Sequence, residues 1–389
     1  MNRRIAFLCG LAVLVPVAVC EQTAQTAAVT TPAEIDIRKA LELVAAQPDY
    51  TPNYIALAIA YARRARETDD LSYLGKAEQT LGRPLSADPD NFEALKVKVF
   101  ILLNRGESAL ALELATKINK RIPDDLTVRG YLADANMDLG NYDAAVGEVQ
   151  WMLNLRSGNA PGLTRGARLR ELHGDFAGAL QWLHMAYDVT PGAETADRAV
   201  LLSGLSRLQL LSGNISDAEK YATTALGMFP DHHEALRTLA EVRLAQNRSD
   251  EAVDLIAKRY AAAPRTAVLF ALAEALEKAG RKDAAAKAFA EFEQKAARES
   301  DNPDNANREL VAYYVDHARQ PAKALVIARR ELARRHDAFT LDSYAWSLAA
   351  CGDNSQANIE MNRALAFGIK DPEVLRHARG IAAAPHGIE

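Results

Sequence analysis

Histidine is the residue type through which this chain could most readily bind a metal ion or transfer a proton. Its eight histidines are scattered, and only His232 and His233 are adjacent, following Pro230 and Asp231 in a stretch typical of a turn. A metal site needs ligands that converge, as in an HExxH helix, and no such pattern is present. We therefore interpret both histidines as solvated turn residues and predict neither a metal site nor a cofactor.

Nucleophilic catalysis is as weakly indicated. The chain has no GxxxxGK[ST] or GxSxG pattern and no GxGxxG pattern after a strand, and the hydroxyls of residues 203–206 lie inside a predicted helix. The three cysteines form no CxxC pair, and we interpret Cys351, beside Gly352 at a helix end, as a small buried side chain. The sequence predicts no catalytic residue and leaves a hydrolase as a remote alternative.

Composition narrows the class of protein and of partner. The 389 residues are 49% hydrophobic, 25% charged and 6% aromatic, which excludes a disordered chain, a collagen-like rod and a polytopic membrane protein. The net charge is −5, so nothing in the charge balance calls for a nucleic-acid partner. A chain of this length exceeds one compact core, so two domains or a repeat array is expected.

The first twenty residues have the pattern of an export signal. Arg3 and Arg4 precede an uncharged apolar run over residues 5–19, which is shorter than the roughly 20 residues of a permanent membrane span. A polar stretch rich in Thr, Ala and Gln follows. We predict a signal peptide over residues 1–20 and a flexible tether over residues 21–33.

Cys20 is a candidate lipidation site. Residues 17–20 (VAVC) resemble the cleavage box of bacterial lipoproteins, although Val19 stands where that family prefers Gly, Ala or Ser. The alternative is ordinary signal-peptidase cleavage, either after Cys20 or after Ala28. Both alternatives predict an exported protein, located in the periplasm or anchored to the outer membrane, with secretion as a further alternative.

The rest of the chain repeats with a period near 34 residues. Small or turn-forming residues serve as anchors of the period at Gly106, Gly140, Gly174, Gly213, Asn247, Gly280, Arg319 and Gly352. Five residues after every anchor stands an alanine, at Ala111, Ala145, Ala179, Ala218, Ala252, Ala285, Ala324 and Ala357. Eight recurrences in eight units indicate a common structural register.

The pattern around each anchor predicts two amphipathic helices joined by a tight turn. Apolar residues recur at helical spacing on both sides of the anchor. Glycine or asparagine at the anchor ends the first helix, because these residues adopt the left-handed conformation at low cost. Alanine allows the two helix backbones to approach closely, since a larger side chain would overpack the contact.

This unit resembles the tetratricopeptide repeat, and the resemblance covers roughly residues 50–372. It implies an all-α fold, a superhelical solenoid of about nine helix–turn–helix repeats plus capping helices over residues 34–389. The expected repeats are 50–89, 90–123, 124–157, 158–191, 192–230, 231–264, 265–297, 304–337 and 338–370. We expect a C-terminal cap over residues 371–384.

The resemblance also implies binding on the concave face, which the first helix of each unit lines. The predicted groove has a basic middle and an aromatic C-terminal end, formed by Arg165, Arg168, Arg207 and Arg237 and by Phe270, Tyr313, Phe339 and Trp346. Arginine and aromatic residues carry much of the binding energy at interfaces. The Lys/Asn set with which some family members bind the acidic tails of heat-shock chaperones is missing here.

These observations lead to one functional hypothesis and one main alternative. The hypothesis is a non-catalytic exported scaffold that binds a protein or peptide partner in its groove, in envelope assembly or secretion. The alternative is a periplasmic chaperone or carrier for an exported client protein. Similarity of residues 313–353 to the C-terminal ends of large exported bacterial repeat proteins supports the compartment for both.

Overall fold

The computed structural model describes residues 31–303 and 306–383, so the predicted signal peptide and Cys20 lie outside the described residues. Within these residues the fold is all-α, as predicted, with twenty α-helices, one π-helical segment and no strand. The helices are α1 Pro32–Ala46, α2 Thr51–Thr68, α3 Ser72–Ala87, α4 Phe92–Asn104, α5 Ser108–Asn119, α6 Leu126–Leu139, α7 Tyr142–Leu155, α8 Ala160–Leu172, α9 Phe176–Val189, α10 Thr195–Leu211, α11 Ile215–Met228, α12 His233–Ala245, α13 Ser249–Ala262, α14 Thr266–Lys278, α15 Lys282–Glu299, α16 Asn307–Ala312, α17 Pro321–Leu332, α18 Ala338–Ala350, α19 Asn354–Leu365 and α20 Pro372–Ala383.

The first helix starts inside the segment predicted as a tether. Thr31 caps α1 by accepting a hydrogen bond from the Glu34 backbone N–H, and the Glu34 carboxylate accepts one from the Thr31 N–H at 3.0 Å. This reciprocal capping box and Pro32 at the first helical position fix the start of α1. The tether prediction, which ended at residue 33, therefore extended too far.

The anchors end the first helix of each pair in the left-handed region. All eight have a positive φ, between +56° and +89°, and Asp69, with φ +63°, ends α2 in the same way. Arg319 is the exception among the anchors, because residues other than Gly, Asn and Asp adopt this conformation at a cost of about 1 kcal/mol. The π-helical segment Tyr313–His317 precedes it, so this unit makes its turn with one extra residue per helical turn.

The alanines that follow the anchors lie where the two helices of a pair meet. All eight are buried, with exposed fractions between 0 and 4%. A methyl side chain at this position leaves the helix backbones close together, and each pair then packs against the next pair along the chain. The core is therefore a series of neighbouring clusters that runs the length of the solenoid.

The solenoid winds far enough for its later units to contact its earlier ones. Ala338 donates to Tyr142, Lys370 to Gly174 and Arg265 to Asp69, and each pair is separated by 196 residues. One superhelical turn therefore takes about six repeats of 34 residues. We call these contacts between the first and second turns the seam.

We expect Ala145→Arg to destabilise the fold by about 3 kcal/mol or more, because the side chain would overpack a fully buried contact and bury a charge. Ala144→Arg is the control, since Ala144 is the exposed neighbour on the same helix and its replacement should change stability by about 0.5 kcal/mol or less. Thermal and denaturant unfolding measure both effects. Similar melting of the two variants would show that the alanine register does not set the packing.

Candidate functional site

Each of the four arginines of the predicted basic groove contacts a carboxylate. Arg165 binds Asp134 at 2.6 Å and Arg168 binds Asp138 at 3.1 Å. The remaining two pairs are Arg207 with Glu171 and Arg237 with Glu241. The prediction of a basic surface therefore needs correction, because the first helices present a mixed-charge surface in which the acid offsets the base.

The aromatic end of the predicted groove divides into buried and lining residues. Phe270 is only 7% exposed and packs against Phe289 and Phe292, so it belongs to the core and was wrongly assigned to the groove. Tyr313 is half-buried and stacks on Phe289. Its hydroxyl donates to Glu293 at 3.3 Å, so its polar end is also engaged.

Trp346 and Phe339 are half-buried and already have partners. The Trp346 ring stacks on His377 with centroids 4.4 Å apart, and its Nε1 donates to Asp316 at 3.0 Å. The guanidinium of Arg308 lies 4.5 Å from the centre of the Phe339 ring. The structure brings Phe339 into the same cavity as Arg168 and Arg207, whereas Trp346 lies outside it.

The cavity between the two turns, here the inter-turn cavity, has a volume of about 320 Å³. The first turn contributes residues of α6, α7, α8 and α10, and the second contributes residues of α16 to α18 and of the loop between α17 and α18. Its charged lining consists of Arg168, Arg207, Arg308 and Arg335 together with Asp138, Glu171, Glu331 and Asp337. Equal numbers of arginines and carboxylates favour a ligand with both donors and acceptors over a highly charged one.

A second cavity of about 450 Å³ lies on the concave side of the first turn. Phe100 and Tyr131 form part of its wall, with ring centroids 6.4 Å apart, and Arg165 and Arg168 reach it from α8. Burial raises the pKa of Tyr131 to about 12, so its hydroxyl stays protonated and can donate at neutral pH. Arg168 and its ion-pair partner Asp138 line both cavities, so this pair connects them.

Desolvation inside the superhelix shifts the carboxylates of the concave face. Burial raises the pKa of Asp138, against the lowering effect of Arg168. It also raises the pKa of Glu274 to about 7, and the negative charges of Glu373 and Asp316 act in the same direction against Lys278. The C-terminal part of the concave face therefore carries acidic groups that are harder to ionise than usual.

One Asp–His pair has a spacing that could suggest catalysis. His377 Nδ1 lies 2.9 Å from Asp342, and both side chains are buried. A nucleophile would have to contact the other ring nitrogen, but His377 Nε2 lies 2.9 Å from the guanidinium of Arg376. The pair therefore joins α18 to α20 and has no hydroxyl or thiol to activate.

Cys351 is exposed, so its interpretation as a buried side chain was wrong. It follows the end of α18, where a side chain can point to solvent. In the described part of the chain, no group of three or more His, Cys, Asp or Glu side chains could hold a metal ion.

Of the adjacent histidines, His232 is buried and His233 is half-buried, which corrects their interpretation as solvated turn residues. His232 is 0% exposed, packs edge-on against Phe229 and caps α12 by accepting a hydrogen bond from the Ala235 N–H at 3.3 Å. His233 Nε2 donates to the Arg66 carbonyl at 3.0 Å, so it joins α12 to the end of α2. Neither role has a signal in the local sequence, because histidine is an uncommon helix cap.

Sequence reasoning missed the residues of the seam altogether. Asp69 contacts Arg265, and Tyr142 contacts Phe367, so each contact joins the first turn to the second. No local sequence pattern marks these residues. The tight glycine turns at Gly140 and Gly174 were recognised, but only as helix ends. Their second role, close approach to another turn of the chain, depends on the curvature of the whole solenoid.

Comparison with known proteins agrees with this architecture. Residues 204–267 match the family model described as tetratricopeptide repeat. None of the curated proteins compared with the sequence matches it. The matched segment and the helix pairing define a tetratricopeptide-type α-solenoid.

Solved structures show the same fold at low sequence identity. A chain of the APC/C hetero-tetramer Cut9–Hcn1 is 14% identical with a TM-score of 0.55, and the match covers 90% of this chain but only 60% of that one. A monomeric mutant of IFIT1 with m7Gppp-AAAA is 14% identical with a TM-score of 0.53, covering 85% and 76%. PilF of Pseudomonas aeruginosa is 16% identical with a TM-score of 0.42, covering 53% and 92%. At such identities the first two show the shared fold alone.

None of the described helices combines the length and apolar character that a membrane-spanning helix needs.

We expect His232→Asn to make the fold less sensitive to acid. Burial lowers the pKa of His232 to about 4, so between pH 6.5 and 4 the unfolded chain takes up a proton that the folded chain resists. As the pH decreases from 7 to 5, the free energy of unfolding should therefore fall by about 2 kcal/mol because of this residue alone. Asparagine keeps a cap acceptor without this proton uptake. Denaturant unfolding at pH 7 and pH 5 should show the smaller loss in the variant, and equal losses would contradict the assignment.

Proposed function

We propose that the chain is a scaffold without catalytic activity that binds a protein or peptide partner on the concave face of its superhelix. The observation that carries this proposal is the pair of cavities joined at Arg168 and Asp138, one on the first turn and one between the turns. Together they form an inner surface of the size and polarity at which an extended segment of a partner could lie.

The charge arrangement favours a protein over a nucleic acid. IFIT1 was solved with m7Gppp-AAAA, and Cut9 with the protein Hcn1, so solenoids of this fold occur with both kinds of partner. Here the four arginines of the concave face each contact a carboxylate, which would repel phosphate groups, and the whole chain has a net charge of −5. Side chains and peptide groups of a polypeptide match such a mixed surface better.

The same surface favours a specific partner segment over an unfolded client. A chaperone for unfolded chains needs accessible apolar surface, whereas the inter-turn cavity is lined by eight charged side chains. Paired charges impose geometry on what they bind, because a wrongly placed charge is repelled or left unpaired. A scaffold role therefore accounts for the inner surface better than a chaperone role.

Export is part of the proposal. It is supported by the two N-terminal arginines and the apolar run over residues 5–19, ending at Cys20. We propose that the mature protein works in the envelope, in assembly or secretion, with Cys20 as its lipid anchor. A tether between the anchor and α1 would let the solenoid reach partners away from the membrane surface.

An exchange of charges on the concave face should disrupt partner binding without removing an ion pair. The variant combines Arg168→Asp with Asp138→Arg. The control combines Arg281→Asp with Asp250→Arg, which form an exposed ion pair of 2.5 Å and line neither cavity. Cross-linking capture from envelope fractions should yield at least tenfold less partner with the first variant. Equal capture by the two variants would contradict binding on the concave face.

Cys20→Ala should release the protein from membranes and abolish globomycin-sensitive processing. The reason is that lipid modification requires the cysteine thiol, and without the acyl chains the polar mature chain has no such anchor. Fractionation of cells that express wild type or variant measures the effect. Unchanged membrane association would rule out lipidation at Cys20 and leave ordinary cleavage of the signal.

A further inference from the structure

The seam is built from polar contacts between turns and helix ends. The His336 backbone N–H donates to the Leu139 carbonyl at 3.1 Å, and the Ala338 N–H donates to the Tyr142 hydroxyl at 3.0 Å. Lys370 Nζ donates to the Gly174 carbonyl at 3.0 Å. The main apolar contribution is the edge-to-face contact of Tyr142 with Phe367, whose centroids are 4.5 Å apart.

A second group of seam contacts involves Asp69, at the C-terminal end of α2. Its carboxylate binds Arg259 at 3.0 Å and Arg265 at 2.8 Å, from the helix α13 and the loop that follows it. His233 lies 3.8 Å from the same carboxylate. Asp69 thus joins the end of α2 to the start of the second turn, and Arg63 and Arg66 of α2 pair with carboxylates at the start of α10.

These contacts differ in kind from those that hold each helix pair together. Pairs are joined by buried apolar side chains, including the repeated alanine, whereas the seam is made by turns, helix ends and a few side chains. Regions with few buried apolar contacts open at lower free energy than the rest of a protein. In a solenoid, each unit is stabilised by its neighbours, so the seam can separate while every helix pair stays folded.

Two glycines of the first turn lie so close to the backbone of the second turn that a larger residue would not fit at either position. A β-carbon on Gly140 would lie 2.6 Å from the His336 carbonyl, and one on Gly174 would lie 2.6 Å from the Gly368 oxygen. Gly213, Gly280 and Gly352 have similar positive φ angles, but a β-carbon on any of them would meet no atom within 4 Å. The tight space around the first two is therefore specific to the seam.

We propose that the seam is a latch that opens reversibly and controls access to the inter-turn cavity. Tyr142 and Asp337 line this cavity, and they lie within or beside the seam contacts of Ala338 and His336. A segment that enters the cavity must contact them, so occupancy and latch position are coupled. What enters rests on the proposed function, whereas the opening itself can be measured without a partner.

Native-state hydrogen exchange of the whole chain tests the latch. In wild type, the His336 amide should exchange through an opening at least 100-fold more frequent than the one that exposes the Ala145 amide inside α7. Gly140→Ala should speed exchange at His336 at least 100-fold further and enlarge the radius of gyration measured by small-angle X-ray scattering. Gly213→Ala, which has the same φ but open space, should leave His336 unchanged.

A second pair of variants covers the case in which Gly140→Ala does not fold. Asp69→Asn keeps a residue that tolerates the left-handed turn but removes the charge that binds Arg259 and Arg265, and it should enlarge the radius of gyration. Asp70→Asn makes the same charge change at the next residue and should not enlarge the radius of gyration, because the Asp70 carboxylate accepts a local hydrogen bond from the Ser72 N–H.

Two results would overturn the latch. One is that the His336 amide exchanges only in the same opening as the Ala145 amide. The other is that Asp69→Asn and Asp70→Asn have equal radii of gyration. Neither result depends on a partner, so the scaffold proposal would remain. Conversely, a seam that opens as expected, combined with equal capture by the two charge-exchange variants, would retain the latch and reject binding on the concave face.

Discussion

The packing of each helix pair through one small residue is the constraint on which the rest of this structure depends. The alanines five residues after the anchors are buried to within a few per cent, so the two helices of each of these pairs meet through a methyl side chain. Because every unit packs on the one before it, a constant local geometry accumulates into a constant curvature. The repeated separation of 196 residues across the seam is the long-range expression of this local constraint.

This constraint also explains which features were predictable from the sequence. The helix pairs, their turns and their close contacts are local, and each is marked by residue types such as Gly140 and Ala145 that recur at fixed spacing. The left-handed turn at Arg319 could be placed even without glycine, because its position in the period identified it. Recurrence thus substituted for local propensity where the residue itself was unfavourable.

The parts that were not predictable depend on partners from other units. Arg165 and Arg168 were recognised as arginines on the concave face, but their carboxylate partners stand about 30 residues earlier, on the preceding first helix. Phe270 fits the same register position as the groove residues, yet the aromatic cluster around α15 buries it. Register defines the direction of a side chain, whereas exposure also depends on what the neighbouring unit places opposite to it.

The pairing of charges on the inner face has a consequence for how a partner can be selected. An arginine that is held by a carboxylate loses less side-chain freedom on binding, because its geometry is already fixed. A partner must then offer groups that match both members of each pair, which reduces affinity for simple polyanions and increases discrimination between peptides. Since the inter-turn cavity combines such pairs from both turns, its selectivity depends on their relative position, and a change in the curvature of the solenoid would alter the site without changing any residue that lines it.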